Sequence, residues 1–167
     1  MKKLFIVLIS ILATITLFAK DYQGSLLKNG DQAPTFKLQT IDGKEFSIAD
    51  LKGKVVLVNF FATWCGPCMK ELPVVQGQLW PKFKNDNFVM VAIGREHTAA
   101  ELKAFNQKKG FTFPLAADPK REVYSKFASQ YIPRNYVLDK SGKIIFQSVG
   151  FTQKELEEMI KIIADNL

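Results

Sequence analysis

The stretch Val55-Val56-Leu57-Val58-Asn59-Phe60-Phe61-Ala62-Thr63-Trp64-Cys65-Gly66-Pro67-Cys68 decides the fold. Its first seven residues are β-branched, aliphatic and aromatic apart from one asparagine, the composition of a central strand buried on both faces. Its last four are C-x-x-C, and these two cysteines are the only two among 167 residues. From Gly66 to Gln78 the apolar spacing turns helical, with Met69, Leu72, Val75 and Leu79 on one face. A C-x-x-C set between a strand and a helix predicts a redox dithiol.

The chemistry needs these residue types at this spacing. The thiolate is the nucleophile in disulfide exchange, yet a free cysteine is mostly protonated at neutral pH. As the last residue before a helix, Cys65 would have its anion favoured by unpaired backbone N–H groups and the helix dipole. Two intervening residues place Cys68 one turn along, within reach of a mixed disulfide on Cys65. Pro67 suits the first helical turn, where its missing N–H is no loss. Gly66 leaves the approach to the sulfur clear, and Trp64 is expected to shelter one flank. Pro73 should kink the helix, and Pro81 should end or bend it again, with Gly77 easing the ring clash. A zinc site needs about four ligands. The chain offers no second cysteine pair and one histidine, His97. His97, in the polar loop Gly94-Arg95-Glu96-His97, reads as an exposed loop residue rather than a ligand or base.

Outward from this centre, Phe36-Lys37-Leu38 and Glu45-Phe46-Ser47 flank Asp42-Gly43 as an N-terminal hairpin. Ser47 could cap a helical turn over Ile48-Ala49-Asp50. Phe88 to Ile93 is a second buried strand, and Thr98-x-x-Glu101 is a capping box opening a helix that Gly110 stops. Phe113-Pro114-Leu115 is a short extended piece. Asp118-Pro119 reads as an N-cap with proline at the first helical position, ahead of Val123, Tyr124 and Phe127. Tyr136 to Leu138 and Lys143 to Val149 form a hairpin around Ser141-Gly142. Thr152 to Glu155 caps a last helix with Leu156, Met159, Ile160 and Ile163 inward. The expected fold class is α/β, a central mixed β-sheet flanked by helices, with an N-terminal β-hairpin and a central αβα-type insert.

Lys2 and Lys3 precede the apolar run Leu4 to Phe18, and small Ala19 is followed by polar Lys20-Asp21-Tyr22-Gln23. This is the pattern of a secretory signal peptide over residues 1–19, cleaved near Ala19 or retained as an uncleaved anchor. Residues 20–32 read as a leader and 33–167 as one domain. The chain is 47% apolar with 14 Phe, enough for a core without disulfide staples. Its formal charge of +7 is spread over scattered lysines, a solvated surface. No basic stripe interleaved with aromatics points to nucleic acid.

The segment from Val58 to Pro73, Val-Asn-Phe-Phe-Ala-Thr-Trp-Cys-Gly-Pro-Cys-Met-Lys-Glu-Leu-Pro, resembles the active-site segment of the thioredoxin superfamily. It resembles in particular its TlpA/ResA-like branch, secreted thiol–disulfide oxidoreductases of the AhpC/TSA–Redoxin type. The resemblance extends over most of the chain after the signal segment, through the hairpin, the insert and Ile132-Pro133. It implies a thioredoxin-like fold in which Pro133 is a cis-proline facing the cysteines and Ile132 offers backbone hydrogen bonds to substrate. It also implies that Glu71, beneath the cysteines, is a proton acceptor. Two departures stand out. Asn59 occupies the position where many thioredoxins carry a buried aspartate, and Arg134-Asn135 follow Pro133 where small polar residues are common.

The function so implied is reduction of protein disulfides in the cell envelope, including the cysteines of apocytochrome c. Cys65, Cys68, Glu71 and Pro133 would be catalytic, and Trp64, Gly66, Pro67 and Ile132 would contact substrate. The Cys65–Cys68 disulfide would be the sole redox centre, with no further cofactor. Partners would be disulfide-containing envelope proteins and a membrane-embedded thiol donor, the protein acting as a periplasmic monomer, soluble or N-terminally anchored. Two alternatives share the fold. A thiol peroxidase would place threonine three residues before the reactive cysteine, whereas Thr63 lies two before Cys65. A copper carrier would need a wider cysteine spacing and a placed histidine, for which His97 is the one candidate.

Overall fold

The computed structural model describes residues 22–167; the signal segment predicted for residues 1–19 lies outside them. Strands β1 (Lys37–Gln39) and β2 (Glu45–Ser47) form the antiparallel hairpin. After β3 (Val55–Phe61) come α1 (Gly66–Val74), α2 (Trp80–Phe83), β4 (Phe88–Arg95), α3 (Ala99–Lys109), β5 (Leu115–Asp118) and α4 (Tyr124–Phe127). Then β6 (Arg134–Leu138), β7 (Ile144–Val149) and α5 (Gln153–Asn166) complete the chain. The main sheet runs β5-β4-β3-β6-β7. Neighbours β3, β4 and β5 are parallel, whereas β6 runs antiparallel to both β3 and β7. This is the expected mixed sheet, with α3, β5 and α4 as the insert.

Every residue of β3 is buried, because both faces are covered. Strand alternation sorts its side chains. Val55, Leu57 and Phe61 join Cys68, Leu72 and Val75 of the helix after β3, Leu102 of α3, and Leu156, Met159 and Ile163 of α5 in one core. Val56, Val58 and Phe60 join Phe36, Phe46, Tyr124, Phe127 and Tyr136 in the other. Asn59 therefore faces the helix carrying the cysteines, the one polar residue on that face of β3. The hairpin covers the outer edge of β5 through a Thr40–Ala116 bridge and an Ile41 N–H to Leu115 carbonyl bond of 2.8 Å. A covered edge cannot pair with another chain.

Four local expectations are refined. Pro81 does not stop the helix: a π-helical turn over Val75–Leu79 intervenes, and the Trp80 N–H donates five residues back to the Val75 carbonyl. The wider turn admits the Pro81 ring and continues as α2. The turn after β2 is 3-10 over Ile48–Leu51, and Ser47 does not cap it; its Oγ is buried without a partner. The extended piece falls on Leu115–Asp118 rather than beginning at Phe113. Asp118 is a cap, but a remote one. Turns at 119–120 and 122–123 intervene, and its carboxylate accepts the N–H groups of Val123 (3.1 Å) and Tyr124 (2.8 Å) at α4. The capping box of Thr98 and Glu101 forms as read, and Gly110 closes α3 at φ 68°.

Candidate active site

Cys65 is the N-cap of α1, in extended backbone conformation, with Pro67 in the first turn. Its Sγ accepts the Cys68 N–H at 3.2 Å, one of the orphan donors of a helix start. The Cys65 N–H donates to the Ala62 carbonyl at 3.2 Å, closing the turn ahead of the helix. Cys65 and Cys68 are joined as a disulfide with Cα atoms 5.3 Å apart. The two sulfurs are not equivalent: Cys65 retains 6% exposure and Cys68 none. Gly66 and Pro67 are exposed beside them, and Trp64 stands 62% exposed with the Arg95 guanidinium 5.5 Å from its ring centre.

The antiparallel register of β3 with β6 pairs Phe60 with Arg134 and Asn59 with Asn135. It brings the start of β6 to the end of β3, where the active-site turn begins. The Ile132–Pro133 peptide there is cis, and the Ile132 carbonyl oxygen lies 3.7 Å from Cys65 Sγ. Pro133 is buried and Ile132 half-buried.

The same register builds a buried polar cluster one layer down. Glu71 is on α1, three residues after Cys68 and thus on the same helix face, and is fully enclosed. Its Oε2 accepts Asn59 Nδ2 at 2.9 Å and its Oε1 accepts Asn135 Nδ2 at 2.6 Å. Asn59 Nδ2 also donates to Asn135 Oδ1 at 2.8 Å, and Asn135 Nδ2 to Ser148 Oγ at 3.2 Å. Burial pushes the Glu71 carboxyl up to about 7, against the pull of the two amide donors. The negative charge of Glu155 acts in the same upward direction. The departures noted in sequence, Asn59 and Asn135, are thus the two groups that hold this carboxyl.

His97 overturns its sequence reading as an exposed loop residue. It is 7% exposed, and its Nε2 accepts the Thr63 N–H at 3.0 Å, two residues before Cys65. A ring nitrogen accepting a backbone N–H carries no proton, which leaves the proton on Nδ1. Nδ1 faces Glu101 Oε2 at 3.9 Å. Burial lowers the His97 pKa, opposed by the charges of Glu101 and Glu96. A signal was available: the capping box at Thr98 turns the chain there, and the residue just before an N-cap commonly folds inward against the helix. Among the described residues no group of three or more His, Cys, Asp or Glu could hold a metal ion. No helix among them is long and apolar enough to cross a membrane.

Comparison with known proteins adds an independent line. The profile of the AhpC/TSA family matches residues 29–147. The chain is 35% identical over 135 residues to the thiol-disulfide oxidoreductase ResA of Bacillus thuringiensis (strain Al Hakam), covering 80% of this chain and 78% of that one. A solution structure from Bacteroides thetaiotaomicron, provisionally titled a protein disulfide isomerase, superposes with TM-score 0.83 at 33% identity. That match covers 88% of this chain and 94% of the other. A crystal structure of a thiol:disulfide interchange protein of the thioredoxin family from Chlorobium tepidum TLS gives TM-score 0.69 at 30% identity, over 82% and 98% of the two chains.

Proposed function

Because the chain belongs to the AhpC/TSA family, we propose that it is a thiol–disulfide oxidoreductase reducing disulfides of proteins in the cell envelope. The observation that carries this reading is the asymmetry of the pair. Cys65 caps a helix, keeps a 6% opening to solvent and meets the Ile132 carbonyl, whereas Cys68 is sealed beneath it. Only the first can meet a substrate sulfur.

In the reduced protein the Cys65 thiolate attacks one sulfur of a target disulfide. The target S–S bond breaks, a Cys65–target bond forms, and the departing thiolate takes up a proton. Cys68 then loses its proton and attacks Cys65 Sγ, which closes the internal disulfide and releases the second target thiol. Two electrons pass from the protein to the target, and a membrane-embedded thiol donor restores the dithiol. The Cys68 proton needs an acceptor poised near neutrality. Glu71, one turn further along α1 and raised to about 7, is that acceptor. Asn59 supports both forms: its amide donates to the carboxylate, and its Oδ1, buried without a partner, can accept from the acid once the amide turns over.

Trp64, Gly66 and Pro67 flank the approach to Cys65, and Ile132 and Pro133 form the opposite wall. The apolar N-terminal run supports export to the periplasm, with the domain released or held on an anchor. Apocytochrome c cysteines are one target class that the sequence resemblance implies.

Direction is tested by equilibrating the pair with glutathione and resolving oxidised from reduced protein by thiol alkylation. A reductase should sit near the thioredoxin value of about −270 mV, whereas a value near the −120 mV of strong oxidants would reverse the assignment. Reduction of insulin with dithiothreitol as donor should accompany the lower potential.

A further inference from the structure

The wall facing Cys65 is held by one buried cation. Arg134 is fully enclosed, on the opposite face of β6 from Asn135. Its Nε donates to the carbonyls of Gln130 (3.0 Å) and Tyr131 (3.2 Å), its Nη1 to the Tyr136 hydroxyl (3.4 Å), and its Nη2 to the Gln23 carbonyl. An enclosed guanidinium is tolerated only where its donors are satisfied, and here the acceptors are two segments of main chain and a phenol. One segment is the loop leading to the cis-proline. The other is the N-terminal arm, residues 23–26, which runs alongside residues 127–129. Leu26 N–H donates to the Phe127 carbonyl at 3.0 Å and Ser129 N–H to the Gly24 carbonyl at 2.8 Å. Gly24 adopts φ +71°, and a Cβ there would meet Gln130 Cγ at 2.4 Å, so the arm lies hard against the loop.

What this clamp presents is Tyr131. Its φ is +67°, a left-handed conformation that non-glycine residues rarely adopt. Its carbonyl is gripped from two sides, by Arg134 Nε and by the Tyr124 hydroxyl at 2.7 Å. Yet Tyr131 is 51% exposed, one residue before the carbonyl that Cys65 touches. For the folded chain alone a glycine at this position would be the less strained choice, and about half of the tyrosine is left to solvent. Strain held in place by a dedicated buried cation, with a half-exposed aromatic residue directly before the one whose carbonyl meets Cys65, has its return in a bound partner. The occupant is a polypeptide, because a small disulfide reaching Cys65 would have nothing to lay against a ring one residue further out.

We propose that Tyr131 is a specificity-determining residue for polypeptide disulfides with an aromatic or large apolar side chain beside the reacting cysteine, and that Arg134 is the positioning residue that sets it. The proposal rests on the oxidoreductase reading above. The probes are two cyclic peptide disulfides identical except for Phe or Gly next to the attacked cysteine. The wild-type protein should favour the Phe peptide by about tenfold in kcat/KM, carried by KM, the size of one aromatic contact with its buried area. Tyr131→Phe should keep that preference, and Tyr131→Gly and Arg134→Met should bring the ratio close to one. Should Arg134→Met not fold, Tyr131→Gly still decides, because glycine accepts φ +67° without strain. A wild-type protein that reduces both peptides equally, or a Tyr131→Gly variant that keeps the preference, overturns the proposal while leaving the reductase reading standing. A wild-type protein that reduces neither peptide overturns both.

Discussion

Glu71 and His97 are the two enclosed titratable groups on either side of the cysteines, and burial acts on them with opposite sign. Glu71, under α1, is raised; His97, beside the turn that precedes α1, is lowered. Both are thereby pushed toward neutrality, as desolvation requires. Their partners differ. Glu71 accepts two amide N–H donors, which keep its anion attainable. His97 Nε2 accepts the Thr63 N–H, with the Thr63 hydroxyl 3.3 Å from the same nitrogen, and this needs the neutral ring. One site is built to change charge near neutral pH, the other to hold the shape of the turn.

Linkage turns this contrast into pH dependence. The folded-state pKa of Glu71 lies above its unfolded value, so its contribution is present below about 4.5 and is lost as pH rises to about 7. For His97 the folded value lies below 6.5, so its contribution is present above that pH and is lost as pH falls through the folded value.

The largest effect is expected from Asn59→Asp, which sets a second carboxyl against Glu71 in place of a donor. Urea unfolding should show a loss on the order of 3–5 kcal/mol at pH 8 relative to wild type, much reduced at pH 5, where the acids can stay protonated. An equal loss at both pH values would show that the carboxyls do not repel.

Glu71→Gln should remove a wild-type decline on the order of 3 kcal/mol between pH 4.5 and 7.5. With that decline gone, the His97 term should emerge as stability that rises with pH toward 6.5. In turnover, Glu71→Gln should slow release of target from the mixed disulfide and flatten the pH–rate profile near 7. An unchanged profile would remove Glu71 from proton transfer.

The smallest change is expected from His97→Leu. Removing the acceptor of the Thr63 N–H should destabilise the protein by about 1–2 kcal/mol and abolish the acid-side loss. Retention of that loss would assign it to another group.

The sequence made the motif and the architecture legible for a physical reason: β3 is apolar apart from Asn59, α1 carries apolar residues at helical spacing, and a C-x-x-C has few alternatives once zinc lacks ligands. Glu71 came from resemblance, since nothing in its local pattern separates it from a solvated helix glutamate. Its amide partners, Asn59 and Asn135, are 76 residues apart and meet only through the β3–β6 register. The polar neighbours Arg95 and Glu96 point His97 toward solvent in the sequence, whereas the turn at Thr98 folds it inward. Arg134 carried no signal as a clamp, because its acceptors are main-chain carbonyls, which every sequence possesses.

The division of labour between the two sulfurs is tested most directly by trapping. Cys68→Ser and Cys65→Ser variants, reduced and then mixed with a scrambled protein disulfide, should be resolved on a non-reducing gel and by intact mass. Cys68→Ser should accumulate a covalent adduct that dithiothreitol releases, and Cys65→Ser should form none. An adduct on Cys65→Ser with none on Cys68→Ser would contradict the account.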